Sequence, residues 1–143
     1  MAYSRRKARE EALQVLYQLD LNSGITPESA LYHYENHFLA KDALVDDFAR
    51  RLIAGVTGHL AELDTAIKAV SDHWRLDRMP AVDRNLLRIG AFELLQCNDI
   101  PSTVTINELV ELAKLFGSKD SSAFVNGVLD KLAQNTKVPG KVP

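Results

Sequence analysis

The sequence predicts an all-α protein, a compact bundle of about six or seven helices. Three observations carry that prediction. Apolar residues recur at helical spacing through most of the chain, cap and stop residues punctuate the periodic stretches, and no alternating stretch is long enough to make a useful strand.

The elements follow in order. Segment 4–21, "SRRKAREEALQVLYQLDL", puts Ala8, Ala12, Val15, Leu16 and Leu19 on one face, with Ser4 as the expected N-cap. The turn formers Asn22 to Gly24 end it. Thr26 caps the next helix, with Pro27 at its first position and Glu28 in its first turn. A long pattern then runs from Leu44 to about Ala69 through Phe48, Leu52, Val56, Leu60, Leu63 and Ile67, and Gly55 and Gly58 mark a bend or a close crossing. In the connection "SDHWRLDRMP", Trp74 is expected to tuck against the bundle. Pro80 opens a helix whose Val82, Leu86, Ile89, Gly90 and Leu94 fall largely on one side. After "NDIPS", Thr105 and Glu108 have capping-box spacing, and Gly117 is the expected stop. The last helix covers about 121–133. Gly127 inside it costs about 1 kcal/mol against alanine, which predicts a neighbouring backbone in close approach. The tail "NTKVPGKVP" is expected to fray, which divides the chain into a helical domain over 1–135 and a flexible tail over 136–143.

Composition narrows the functions. The 143 residues carry a formal charge of −2, with a pI near 6.1, so the chain is no general polyanion coat and any such binding must be local. The single cysteine, Cys97, excludes an internal disulfide and a thiolate metal cage, and suits a reducing compartment. No stretch of about 18 apolar residues is present to span a membrane, and the opening cations lead straight into an amphipathic pattern instead of a signal sequence. The expectation is a cytoplasmic protein.

The local charge stands at the start. Arg5, Arg6, Lys7 and Arg9 all precede the first acid, Glu10. On a helical wheel of about 100° per residue, Arg6, Arg9, Leu13 and Tyr17 lie away from the Ala8–Val15–Leu19 face. Cations in a first turn oppose the helix dipole, so an anion is their natural complement. Guanidinium groups pair bidentately with phosphate, and an aromatic ring can stack on a base. An acidic protein partner and a merely solvated basic end remain as alternatives.

The stretch 101–133, "PSTVTINELVELAKLFGSKDSSAFVNGVLDKLA", forms a helix, a tight polar loop and a second helix capped by Asp120 or Ser121. Free N–H groups, two hydroxyls and Lys119 there make a modest anion site. Phe124 sits beside the core face, where it either fills the core or stacks on a base. The residues Pro101, Val104, "INE" 106–108, "ELAK" 111–114, "FG" 116–117, "DS" 120–121 and "FVNGVLDK" 124–131 resemble the signature of the bacterial transcription antitermination factor NusB family. The basic opening with "ALQVLYQL", and "DRNLLRIGAFELL" at 83–95, are similar to that family's first and middle helices, so the resemblance covers about residues 4–133. Departures are small: Asp83 stands where Glu is usual, Leu109 replaces a commoner Ala, and Lys119 replaces a frequent acid.

The resemblance implies two packed three-helix subdomains, no enzymatic activity and no cofactor. It implies binding of boxA-type single-stranded RNA in nascent ribosomal-RNA transcripts, together with the small-subunit ribosomal protein NusE, to help load an antitermination complex on RNA polymerase. Homodimers occur in some members. Carried over residue by residue, Arg5, Arg6, Lys7, Arg9, Lys119, Asp120 and Phe124 correspond to RNA-contacting positions, and Tyr17 and Asp83 to the protein-partner surface. The alternatives are a helical RNA-binding or protein-interaction module related to the N-terminal domain of ribosomal-RNA cytosine methyltransferases, and a metal enzyme. No GxGxxG turn supports a methyltransferase. His33 and His37 share a helical face, but Tyr34 occupies the glutamate position of HExxH and no third ligand is indicated. Cys97 reads as an ordinary, partly buried thiol.

Overall fold

The computed structural model describes residues 2–136 apart from Asp42 and His73, together with Val138 and Lys141, with side chains from Arg5 onward. Among these residues there are seven α-helices and no strand: α1 (Ala2–Leu21), α2 (Pro27–Phe38), α3 (Asp47–Gly58), α4 (Leu60–Val70), α5 (Ala81–Gln96), α6 (Ser102–Phe116) and α7 (Ser121–Asn135), with a single 3₁₀ turn at Leu76–Arg78. The all-α prediction holds.

Two helix groups share α5. On one side α1 packs against α2 and α3; on the other, α5 packs against α4, α6 and α7, and α1 and α3 close on α5 from the first group. This central position explains why α5 is buried on more than the one side its periodicity suggests: Leu86, Leu87, Ile89, Ala91, Phe92 and Leu94 all lie in the core.

Local chemistry sets several boundaries. The Thr26 hydroxyl accepts from the Ser29 N–H at 3.1 Å, and Pro27 follows at the first helical position, as expected. α1 begins at Ala2, ahead of Ser4, so Ser4 is not the cap; its side chain lies outside the described residues. The long pattern at 44–69 is two helices that break at His59, with Asp46 capping α3 by accepting from the Phe48 N–H at 2.8 Å. Apolar periodicity survives the break because both helices face α5. The expected capping box is absent. α6 starts at Ser102, so Thr105 is interior and donates to Glu93 Oε1 at 2.7 Å, while Glu108 receives Arg6. Of the tail, 137, 139, 140, 142 and 143 lie outside the described residues, but Lys141 Nζ donates to the carbonyls of Glu93 and Cys97 at 2.7 Å each, across the end of α5.

The glycines separate sharply. At Gly55 a Cβ would overlap the ring of Phe92, which marks the close crossing of α3 and α5. At Gly127 a Cβ would meet nothing within 4 Å, so the expected close backbone is not there. Gly55→Ala should destabilise the protein by about 1–3 kcal/mol through overpacking. Gly127→Ala should stabilise it by up to about 1 kcal/mol through helix propensity. Urea unfolding of the two variants checks both signs, and equal shifts would contradict this packing.

Candidate nucleic-acid interface

The cations that open α1 divide into an inner one and three outer ones. Arg9 is 1% exposed. Its Nε and Nη2 donate to Glu93 Oε2 and Oε1, both at 2.8 Å. The expectation that Arg9 faces outward is therefore corrected, and Leu13, also buried, goes with it. A two-sided wheel fails here because α1 is covered by α2, α3 and α5 together, so its buried arc extends well beyond the alanine stripe.

Arg5, Arg6 and Lys7 reach solvent. Arg5 lies over the Phe48 ring at 4.2 Å from its centroid and 4.0 Å from Asp99. Arg6 donates through Nε and Nη2 to Glu108 Oε2 at 3.0 and 2.5 Å, and that hydrogen bond raises its pKa above the ordinary arginine value. Lys7 stands 3.8 Å from Glu10. Exposed pairs of this kind are weak in water and can exchange a carboxylate for a phosphate.

A groove of about 570 Å³ runs from Arg6 past Asn107, Glu108 and Lys114 of α6 to Ser122 and Asn126 in the first turns of α7. It links the outer cations to the helix carrying Phe124. Lys119 and Asp120 are exposed in the loop ahead of it. Phe124 lies round the side of α7, half-buried and edge-on to Trp74 at 5.7 Å between ring centroids. Ala123 borders both this aromatic pair and the Arg6 groove, so the two surfaces are continuous. Trp74, expected to tuck against the bundle, meets Phe124 of α7 but is 58% exposed.

Two further expectations change. Asp83 is only 5% exposed, which a partner-contacting carboxylate should not be. Its Oδ1 accepts from the Ser121 hydroxyl at 2.6 Å, and that hydroxyl accepts from the Ser118 N–H at 2.9 Å. Ser121 therefore ties the loop to α5, while Asp120 holds the N-cap position of α7 without a side-chain capping bond, and of the two hydroxyls expected to serve an anion only Ser122 is left. Tyr17 is 38% exposed and lines an apolar groove of about 380 Å³ with Leu13, Tyr34, Phe38, Val82 and Phe116. Sequence reasoning missed Phe38 and Phe116; the apolar pair Leu115–Phe116 directly before Gly117 is the signal that could have found them.

The remaining candidates offer little chemistry. Cys97 is fully buried, and burial pushes its thiol up to about 11. The exposed rings of His33 and His37 lie 4.2 Å apart between centroids, and among the described residues no group of three His, Cys, Asp or Glu could hold a metal. No described helix is long and apolar enough to cross a membrane.

Exposed cations, a groove across a helical hairpin and outward rings give a helical protein a surface suited to binding. Comparison with known proteins makes this specific: the NusB family profile matches residues 6–134, and the chain belongs to the NusB family. It is 51% identical to the transcription antitermination protein NusB of Anaeromyxobacter dehalogenans (strain 2CP-1), over 93% of this chain and 92% of that one. It is 48% identical to the protein of the same name in Myxococcus xanthus (strain DK1622), over 91% and 94%. Among solved structures, T. maritima NusB superposes with a TM-score of 0.82 at 34% identity, covering 97% of this chain and 93% of that one. A crystal structure of the antitermination factors NusB and NusE in complex with dsRNA gives 0.84 at 29% identity, covering 95% and 100%.

Proposed function

We propose that this chain is a transcription antitermination factor that binds boxA-type single-stranded RNA in nascent transcripts together with NusE, and so helps assemble an antitermination complex on RNA polymerase during ribosomal-RNA transcription. It acts in the cytoplasm and without catalysis. Family membership supports the role, as does the related NusB–NusE complex with dsRNA. The observation that carries the site is the groove running from Arg6 across α6 to the start of α7. Arg5, Arg6 and Lys7 take phosphates at one end; Lys119, Asp120 and Phe124 take a phosphate, a base edge and a base face at the other. Arg9 and Asp83 hold these elements in place from inside. Tyr17, with the apolar groove around it, serves the protein partner.

The patch is small, so RNA binding alone is weak and a partner that extends the basic surface raises it. Each phosphate neutralised on a single strand contributes about −0.7 to the slope of log K against log[salt], so three or four contacts give about −2 to −3. Alanine at both Arg6 and Lys7 should lower the magnitude of that slope by about 1.4, measured by fluorescence anisotropy with a labelled boxA-type strand. A duplex of the same sequence should bind less well, because its stacked bases are closed to Phe124. An Arg5/Arg6/Lys7 triple alanine variant that folds and binds with an unchanged slope would remove the N-terminal contacts from this reading.

A further inference from the structure

We infer that Trp74 and Phe124 form a base-stacking platform, a second contact region that carries the RNA strand past the loop at 117–120 along the outer side of α7. The inference rests on the RNA-binding reading above and extends it to residues outside the signature stretches.

Trp74 is held outward. Its backbone N–H donates to the Ser71 carbonyl at 3.1 Å, and its own carbonyl accepts from the buried Ser71 hydroxyl at 3.2 Å. Between them Asp72 adopts the left-handed conformation at φ 56°, which few side chains favour. Downstream, Arg84 Nη1 donates to the carbonyls of Leu76 and Met79 at 3.0 Å each, fixing the rest of the connection. A connection tied at both ends, yet presenting an indole to water, is organised for contact.

The surroundings suit a nucleic acid strand. Trp74 and Phe124 meet at an interplanar angle of 68°, so they offer two differently inclined π-surfaces. On one side they border a groove with Arg78, Asp83 and Asp120; on the other, one with Gly127, Asp72 and Lys131, whose ammonium is paired with Asp72 at 2.7 Å. Arg78 and Lys119 are exposed and make no ion pair with any described residue, which leaves them available to phosphate. Asp120 can accept from base N–H groups. Gly127 weakens its helix with no packing neighbour to require it, and its bare backbone lets a strand approach α7 closely. Unpaired cations and continuity with the Arg6 groove favour RNA here over a protein partner.

Trp74 is the only tryptophan, so its fluorescence reports this surface alone. Labelled boxA-type single-stranded RNA is titrated with the full chain, reading RNA anisotropy and protein fluorescence together, beside the same strand with abasic sites. The expected result is quenching that tracks the anisotropy and is lost with the abasic strand. Trp74→Ala should lower affinity by about 10- to 100-fold with the salt slope unchanged, and Trp74→Phe should keep most of it. Gly127→Leu, which leaves both rings intact, should also weaken binding. If the strand binds while tryptophan emission stays constant and Trp74→Ala binds as wild type, the platform is refuted and the RNA-binding reading survives. If wild type binds no RNA, with or without NusE, both fall. Quenching by NusE alone and not by RNA would assign the surface to protein and overturn the proposal.

Discussion

Glu93→Ala is expected to destabilise the protein by about 3–5 kcal/mol, because it strands a guanidinium in the core. Glu93 is fully buried and Arg9 is 1% exposed. The carboxylate takes both Arg9 nitrogens at 2.8 Å and the Thr105 hydroxyl at 2.7 Å, tying α1, α5 and α6 at one point. No buried side-chain nitrogen or oxygen among the described residues lacks a partner. Removing the acid takes away the acceptor that Arg9 and Thr105 share at a buried position. Replacing the whole set with apolar residues of similar volume (Arg9→Met, Glu93→Leu, Thr105→Val) should cost far less and could be neutral. Guanidinium unfolding followed by circular dichroism separates the cases. The triple variant also tests the placement of Arg9: folded, it should bind RNA with the wild-type salt slope. A slope reduced by about 0.7 would return Arg9 to the phosphate contacts.

Arg9 also shows where sequence was legible and where it was not. Cap chemistry at Thr26 and Pro27 is a local property, and it appears in the structure as the sequence suggests. Whether a cation on a helix points to water depends on how many neighbours that helix has, which spacing in one segment does not encode. Thr105 and Glu108 match a capping box in spacing, yet tertiary partners claim both side chains. Trp74 is expected against the bundle because large apolar residues usually pack there, but hydrogen bonds exchanged with Ser71, one in each direction, hold its backbone at the surface. The glycines divide likewise, since only the structure distinguishes Gly55 under a ring from Gly127 over open space. Of the candidate site, Arg5, Arg6, Lys7, Lys119 and Asp120 are exposed or half-exposed as residue type suggests, whereas Arg9 and Asp83 turned inward because a buried partner awaited each.

Ser121→Ala should cost about 2–4 kcal/mol and weaken RNA binding beyond that loss of stability. The hydroxyl both donates to Asp83 and accepts from the Ser118 N–H, so its removal ends a charged hydrogen bond worth about 1.5–3 kcal/mol and leaves a backbone donor without its acceptor. Asp83 lies in the first turn of α5, where the helix dipole favours a carboxylate. It is thus a fixed post to which the α6–α7 loop is tied. Gly117 makes room for the tie: a side chain there would collide with Ser121. Lys119 and Asp120 sit between Ser118 and Ser121, which that hydroxyl bonds together, and Phe124 follows one turn later, so freeing the loop disperses all three. Asp83→Asn keeps an acceptor for Ser121 and should retain most of both stability and RNA affinity. Urea unfolding and RNA titration below the transition check these outcomes. If Asp83→Asn spares RNA binding but lowers affinity for NusE, Asp83 is a partner contact after all. If Ser121→Ala binds RNA like wild type while folded, the loop needs no such tether to present its residues.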